Sequence, residues 1–256
     1  MIYQEPIEKL FAQGLVAGIN AARKVQGKEP VIFDRAQSYI GTLVDDLVTK
    51  GTEEPYRLLS SRAEFRLLMR HDNADLRLTD IGHELGLISE SRYSHFCEKR
   101  ENINKAIDIL NHTYLGKRKE IEEYIISLGF NELKGGILAS EILKRPGVSY
   151  NKIREFIPEL HDICLENDAI EQLEVMVKYE GYIAKQIREA ESMRKLEEMK
   201  IPSDFDFINM DGLRLEARQK LDKIKPLTIG QASRVSGVNP SDISILILNI
   251  REKSNG

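Results

Sequence analysis

The sequence has no tryptophan and only two cysteines, and aromatic side chains make up 7% of its 256 residues. The cysteines, Cys97 and Cys164, are far apart and form no CxxC pair. This spacing argues against a disulfide scaffold and against a thiolate zinc site, and it fits a reducing compartment. The histidines include no i, i+4 pair and no HExxH motif, so we expect no metal site.

Long apolar runs and the common catalytic motifs are missing as well. No run approaches the roughly 18 apolar residues that cross a bilayer, so we expect no membrane span. Together with the cysteine usage of a reducing compartment, we expect a cytoplasmic protein. GxGxxG, the P-loop and GxSxG do not occur, and these motifs carry cofactor cradles and activated nucleophiles. The chain is therefore expected to be part of an enzyme or a binding module, not an enzyme that acts alone.

Charged residues are plentiful but unevenly distributed. The chain has 37 basic and 41 acidic residues, for a net charge of −4. Eight basic and four acidic residues lie between Arg214 and Lys253, so this tail carries +4 and the rest of the chain −8. A basic tail favours a polyanion or an acidic partner. Ordinary solvated helix faces explain the same charges equally well.

Apolar residues recur at helical spacing along most of the chain. They predict a mainly α fold with many helices, minimal β structure and a short helical hairpin at the end. Helices are expected over residues 10–24, 35–50, from Ser89 to about 110, 117–128, before Pro146, 150–157 and 213–223. A further helix is expected over residues 168–200, roughly 50 Å long if unbroken, with Gly181 as the candidate point of a bend. No internal repeat of fixed period is visible.

The hairpin at the end has clear helix-start signals. Thr228 and Gln231 form a T-x-x-Q capping box, and Asn239 is placed to cap the second helix, with Pro240 at its first position. The second helix has an apolar stripe formed by Ile243, Leu246 and Ile250. This stripe would suit the groove of a partner, or it would pack against the chain's own helices.

The segment from Ser61 to Thr79 is rich in arginine. Ser61 and Glu64 form an S-x-x-E capping box, which predicts a helix beginning at Ser61. The arginines that would share one face of this helix are Arg62, Arg66 and Arg70. Guanidinium groups in one row need anions between them, either internal carboxylates such as Glu64 and Asp72 or an external phosphate. Both readings stay open here.

Several stretches together resemble the C-terminal half of the MnmG family, also called GidA, the flavin-dependent tRNA uridine 5-carboxymethylaminomethyl modification enzymes. The matching stretches are Ala12–Ala22 (AQGLVAGINAA), Tyr39–Gly51, Ser61–Thr79, Lys178–Ile183 (KYEGYI), Ile201-Pro202 with Phe205-Asp-Phe207, and Thr228–Gly237 (TIGQASRVSG). They occur in family order and span nearly the whole chain.

The resemblance implies a function for the complete family protein. In that protein an FAD-binding domain precedes this helical region, and the FAD domain dominates a homodimer. With a GTPase partner, MnmE, the enzyme installs a substituted methyl group on the wobble uridine of certain tRNAs, using FAD and NADH. The helical region is associated with tRNA binding and GTPase docking, and this is the role we expect for the chain.

The candidate site residues combine this resemblance with the charge pattern. Those expected to contact tRNA phosphates are Arg62, Arg66, Arg70, Arg77, Arg214, Arg218, Lys220 and Arg234. Those expected to contact the GTPase are Ile243, Leu246 and Ile250. The alternative reading is a protein–protein adaptor, or a module that braces a dimer, without RNA contact; its arginines would pair internally.

The predicted organisation has four parts. Residues 1–34 are a remnant of the junction with the FAD domain, 35–116 an arginine-rich helical segment, 117–212 a long-helix bundle, and 213–256 a basic helical subdomain. The dinucleotide fingerprint, most of the FAD site and the family's catalytic cysteines have no counterpart here. Cys97 and Cys164 match no catalytic position, and we expect both to be core thiols.

We therefore predict that the chain alone binds no FAD and oxidises no NADH. Purified chain mixed with FAD and passed over a desalting column should elute without visible flavin absorbance. A flavin band that stays with the protein, or NADH consumption without added enzyme, would contradict this prediction.

Overall fold

The computed structural model describes residues 4–49, 60–116, 118–131 and 135–254. The chain divides into two compact units. The central unit is Arg70–Ala184, and the terminal unit combines Met1–Met69 with Lys185–Gly256. The names refer to position in the sequence, and each unit is described by itself.

The described residues form twelve α-helices, two 3-10 turns and one two-stranded ribbon. In chain order these are α1 (Gln4–Val25), α2 (Tyr39–Thr49), a 3-10 turn (Ser60–Arg62), α3 (Ala74–Glu84), α4 (Glu90–His112), β1 (Tyr114–Leu115), α5 (Lys119–Ser127), β2 (Ile137–Leu138), α6 (Ala139–Leu143), α7 (Tyr150–Arg154), a 3-10 turn (Pro158–Leu160), α8 (Asn167–Lys178), α9 (Glu180–Glu198), α10 (Leu215–Ile224), α11 (Ile229–Ser233) and α12 (Pro240–Ser254). The predicted mainly α fold with minimal β structure is confirmed.

The core of the central unit forms around α4. Ser89 caps this helix by accepting a hydrogen bond from the backbone N–H of Arg92, as N-terminal serines commonly do. Ile103, Ala106 and Leu110 lie on one face of α4 and are fully buried. They pack with residues of α5, α6, α7 and α8, so the long amphipathic helix predicted from Ser89 is confirmed.

The core of the terminal unit near the C-terminus forms around α10, α11 and α12. Ala217, Leu221, Ala232 and Leu246 are fully buried there. The Thr228 hydroxyl accepts from the N–H of Gln231 at 3.0 Å, which caps α11. The predicted helical hairpin at the end of the chain is therefore confirmed.

The prediction of a helix that begins at Ser61 is wrong. Only a 3-10 turn forms at Ser60–Arg62, and the chain then continues in turns to residue 69. Glu64 hydrogen-bonds Arg35, as described below, and does not complete the predicted box. Ala63, Phe65 and Met69 are buried together. This packing overrides local helix propensity, which is worth less than 1 kcal/mol per residue for most residue types.

The single helix predicted over residues 168–200 is also wrong. It is broken at Tyr179, where the backbone leaves helical geometry (φ −110°, ψ 15°) between α8 and α9. Gly181, the residue expected to bend it, lies inside α9. The two pieces bury their apolar sides in different cores, since Leu173 belongs to the central core and Ala190 packs in the terminal unit.

The two cysteines are unpaired, as expected, but not both are buried. Cys97 is partly buried and Cys164 is exposed. The expectation of a core thiol is therefore wrong for Cys164, which lies in the turn-rich stretch between the second 3-10 turn and α8. No sequence pattern around either cysteine predicted this difference.

One glycine in α2 has no room for a side chain. A Cβ at Gly41 would lie 2.4 Å from the carbonyl oxygen of Asp34 and 2.5 Å from that of Phe33. Both obstacles are backbone atoms, which cannot move aside as a flexible side chain would. The loop before α2 and the helix itself therefore approach as closely as they do only because residue 41 is glycine.

We predict that Gly41→Ala lowers the free energy of unfolding by about 3 kcal/mol. The matched control is Gly14→Ala in α1, where a Cβ would meet nothing within 4 Å. That change should be neutral or stabilise the chain by up to about 1 kcal/mol, because alanine favours helix over glycine. Urea unfolding of both variants measures this, and equal midpoints would contradict it.

Candidate nucleic-acid interface

A buried arginine organises the charged residues of the terminal unit. The side chain of Arg35 is 4% exposed and donates to Asp46 at 2.8 Å, to Asp45 at 3.0 Å and to Glu64 at 2.8 Å. It also donates to the carbonyl of Thr42 at 3.2 Å. Burial alone would lower the pKa of Arg35, but the hydrogen bonds and charges of Glu64 and Asp46 raise it above its ordinary value.

A second arginine extends this arrangement to the C-terminal helices. Arg234 grips Asp45 with two parallel hydrogen bonds of 2.8 and 2.7 Å. It also pairs with Glu197, which accepts from the Thr228 hydroxyl at 2.6 Å. We call the six residues Arg35, Asp45, Asp46, Glu64, Glu197 and Arg234 the Arg35 cluster. It ties α2, the segment after residue 60, α9 and α11 together within the terminal unit.

The four arginines predicted from the Ser61–Thr79 segment do not form one stripe. Arg62 and Arg66 belong to the terminal unit, whereas Arg70 and Arg77 belong to the central unit. Arg62 is 41% exposed and lies 3.8 Å from Asp46. Arg66 is exposed and makes no hydrogen bond or ion pair among the residues that the structure describes.

Arg70 and Arg77 hold a turn of the central unit. Arg70 donates two hydrogen bonds to the carboxylate of Asp72, from Nε to Oδ1 at 3.0 Å and from Nη2 to Oδ2 at 2.9 Å. Arg77 donates to the side chain of Asn73 and to the carbonyl of Arg70, both at 3.0 Å. These contacts are the internal ion-pair network that the sequence left open as one alternative. They leave the guanidinium groups partly exposed.

The three candidate residues at the start of α10 and within it also have internal partners. Arg214 pairs with the buried carboxylate of Asp242 and donates to the carbonyl of Gly237 at 2.8 Å. Arg218 donates to the carbonyls of Leu213 and Ile208, and Lys220 pairs with Glu216 at 2.6 Å. The hydrogen bond from Arg214 is the main reason that the pKa of Asp242 lies below its ordinary value.

The apolar stripe of α12 faces its own unit. Leu246 is fully buried, Ile243 is 7% exposed, and Ile250 packs partly buried against the same core. On this helix Leu248 is the large apolar side chain that stands out, at 58% exposure. This geometry matches the alternative in which the stripe packs against the chain's own helices, and the partner contact remains a prediction.

The sequence did not single out a cleft in the central unit. It has a volume of about 440 Å³ and is lined by residues of α3 and α4 together with Glu166 and Asp168. The Lys99 ammonium lies between the carboxylates of Asp75 (2.7 Å) and Asp168 (2.5 Å). Its hydrogen bond to Asp168 is the main cause of the lowered pKa of that carboxyl. The charge of Lys99 is thus paired with two of the carboxylates that line the cleft.

Neither a metal centre nor an enclosed pocket on α1 is formed by the residues that the structure describes. No group of three histidine, cysteine or carboxylate side chains among them is arranged to hold a metal ion. On α1, Leu10, Phe11 and Leu15 are exposed and Gly14 and Gly18 face open space. This face forms no enclosed cradle. No helix in the described part of the chain is long and apolar enough to cross a membrane.

Comparisons with known proteins agree on one family. Residues 90–187 match the family described as tRNA modifying enzyme MnmG/GidA C-terminal helical domain. Residues 189–256 match the one described as tRNA modifying enzyme MnmG/GidA C-terminal helical bundle. By fold and by these matches, the chain is a helical C-terminal region of the kind found in these enzymes.

Individual relatives point the same way. The tRNA uridine 5-carboxymethylaminomethyl modification enzyme MnmG of Listeria welshimeri is 53% identical over 245 residues, which are 96% of this chain and 39% of the relative. The enzyme of the same name from Bacillus mycoides is 52% identical over the same shares. Aquifex aeolicus GidA in its form II crystal has a TM-score of 0.76 and 37% identity, covering 95% of this chain and 38% of that one.

The chain therefore belongs to the MnmG/GidA family. It spans about two fifths of the length of the curated relatives that it matches. The resemblance drawn from the arginine-rich segment and the TIGQASRVSG stretch is confirmed.

The Arg214–Asp242 pair makes a prediction about acid stability. Because the folded pKa of Asp242 is lowered, its ionised form stabilises the fold above the unfolded pKa of about 3.9. That contribution is lost as the pH falls through the folded pKa. Asp242→Asn should lower the melting temperature at pH 7 by about 3 °C, and the gap between variant and parent should shrink below about pH 4.

Melting curves between pH 7 and pH 3 test this expectation. Glu216→Gln is the matched control, because it removes an exposed carboxylate from the neighbouring Lys220 pair and should leave the melting temperature unchanged. A gap for Asp242→Asn that stays constant with pH would show that the carboxylate's charge is not responsible.

Proposed function

We propose that this chain is the tRNA- and GTPase-binding helical part of an enzyme that modifies the wobble uridine of tRNA. The observation that carries the proposal is its 53% identity over nearly its whole length to proteins named as tRNA uridine modification enzymes. The arginines and lysines of the terminal unit supply the charges that phosphate contact requires.

The proposal for the complete protein follows the family. It would work in the cytoplasm as a homodimer with FAD and NADH, together with an MnmE-type GTPase, and the helical region would position the tRNA. The four-part division at residues 34, 116 and 212 remains a prediction beside the two compact units. The chain is proposed to do no chemistry by itself.

Among the candidate tRNA contacts, Arg66 comes first. Its guanidinium is exposed and has no partner among the described residues, so it would meet a phosphate without breaking an internal pair. Arg62, Arg70, Arg77, Arg214, Arg218 and Lys220 would have to share or exchange their present partners. Arg234 is the weakest candidate, because it is 9% exposed and grips two carboxylates.

We propose that α12 contacts the GTPase, but its apolar stripe is not accessible in the present fold. Leu246 is buried in the chain's own core, so Ile243, Leu246 and Ile250 would reach a partner only if α12 moved. Leu248 is exposed on the same helix and would contact a partner without such movement. The GTPase contact through α12 is therefore proposed to involve Leu248 first.

A protein–protein adaptor without RNA contact is the second candidate. The internal pairing of Arg70, Arg214 and Arg234 favours it, since that reading expects arginines to be used within the fold. Binding of bulk tRNA at low and moderate salt separates the two candidates, because phosphate contacts weaken steeply with salt.

We predict that Arg66→Ala weakens the binding of bulk tRNA by about five- to tenfold at 0.1 M salt. The slope of log affinity against log salt should become shallower by the amount that about one phosphate contact contributes. Fluorescence titration with the parent, Arg66→Ala and the Arg62→Ala, Arg66→Ala double variant measures this. The matched control is Lys119→Ala, an exposed cation of the central unit that pairs weakly with Glu123.

The outcomes divide clearly. Absent or salt-insensitive binding by the parent would favour the adaptor and overturn the proposed tRNA contact. Salt-dependent binding that neither arginine variant changes would keep the function and move the site to the C-terminal tail.

A further inference from the structure

A helical motif occurs twice in the chain. Helix α6 begins at Ala139 and α7 at Tyr150, and α11 and α12 begin at Ile229 and Pro240, each 90 residues later. Both short first helices have five residues. The turns that follow them contain Gly147 (φ +80°) and Gly237 (φ +92°), which are again 90 residues apart.

The backbone pairing before these helices is also repeated. The N–H of Ala139 donates to the carbonyl of Thr113 at 2.9 Å, and the N–H of Ile229 donates to that of Met199 at 2.9 Å. In each case the accepting residue directly follows a long helix, α4 or α9, and antiparallel pairing follows. The pairs are Tyr114 with Leu138 and Leu115 with Ile137 in the first copy, and Lys200 with Thr228 in the second.

The helix between these pairings matches as well. Helix α5 follows Arg118 and buries Ile121 and Ile125 completely, and α10 follows Arg214 and buries Ala217 and Leu221 completely. The two helices thus bury the same two positions, counted from their first residues. In both copies a residue just past the end of this helix has a left-handed backbone conformation with positive φ.

The spacing between the copies explains why the sequence shows no period. Corresponding residues are 86 apart at the end of α4 and α9, 96 apart in α5 and α10, and 90 apart afterwards. The connection before the middle helix is longer in the second copy, and the one after it is shorter. A repeat of fixed period was therefore correctly not found, although a repeated motif is present.

The two copies differ at the left-handed residue. In the first copy it is Gly129 (φ +83°), and in the second it is Lys225 (φ +50°). Lys225 is the one non-glycine with positive φ in the described part of the chain. A side chain in this conformation is strained, because its Cβ crowds the backbone, whereas glycine is not.

Hydrogen bonds on both sides hold the backbone at Lys225. Its N–H donates to the carbonyl of Leu221 at 2.7 Å, and two residues later the carbonyl of Leu227 accepts from Ile201 at 2.9 Å. Between them Pro226 is buried. The chain must therefore reverse at residue 225, but nothing in this geometry requires a lysine, and the first copy uses glycine.

The surroundings of Lys225 carry unpaired positive charge. Lys225 is exposed, as are Lys223 on the last turn of α10 and Lys200, which pairs by its backbone with Thr228. None of these three ammonium groups makes an ion pair or hydrogen bond among the described residues. The acids closest along the chain, Asp222 and Glu198, form no ion pair with them.

We infer that the ammonium of Lys225, which stands at a position suited to glycine, contacts a phosphate of the bound nucleic acid. Lys200 and Lys223 flank this contact. The inference rests on the proposed tRNA binding and assigns it a residue that the charge pattern alone did not single out. It also identifies the second copy of the motif as the one adapted for that contact.

The test uses three substitutions at one position in the chain as it exists. Lys225→Gly and Lys225→Asn remove the charge and suit the left-handed conformation, since asparagine also tolerates it, whereas Lys225→Arg keeps the charge. The two neutral variants should melt as high as the parent or about 2 °C higher. They should bind bulk tRNA about five- to tenfold more weakly at 0.1 M salt. The slope of their log affinity against log salt should be shallower by the contribution of about one phosphate contact.

Lys225→Arg should bind tRNA like the parent, and Lys119→Gln in the first copy serves as a control without effect. If the parent binds tRNA in a salt-dependent way and Lys225→Gly binds equally well, the inference is overturned and the proposed function stands. If the parent binds no tRNA, both are overturned. Lower stability of both neutral variants would show that the lysine serves the C-terminus of α10, and it too would overturn the inference.

Discussion

Arg35 is a guanidinium withdrawn from water and held by three carboxylates, and the terminal unit is arranged around it. Removing one partner from a buried ion pair costs several kcal/mol, because it leaves an uncompensated charge. Asp45 is shared with Arg234, so the same interaction connects α2 with α11 across 189 residues of sequence. It also holds Glu64, the residue expected to complete a capping box with Ser61.

The same competition governs the other basic residues. Arginine forms bidentate contacts with carboxylate and with phosphate equally well, so an arginine-rich sequence does not specify its partner. In this fold Arg70, Arg214 and Arg234 form ion pairs with carboxylates. Arg66 and Lys225 have no carboxylate partner among the residues that the structure describes, and for this reason the proposed contacts with nucleic acid concentrate on them.

The repeated motif shows how one backbone plan accommodates different sequences. The two copies bury equivalent positions and use the same hydrogen bonds, yet they share few residues apart from the glycine of the second turn. Connections of different length shift the copies out of any constant period. The left-handed residue after the middle helix is a lysine in the second copy and a glycine in the first.

The sequence by itself determined the mainly α fold, most helices and the family, because these depend on apolar periodicity, capping residues such as Ser89 and Thr228, and contiguous stretches such as TIGQASRVSG. The break at Tyr179, the irregular path after Ser61, the exposure of Cys164 and the inward direction of Leu246 were decided only by the tertiary structure. Each depends on residues far apart in the chain that compete for one core or one charge. Local patterns do not record the outcome of that competition.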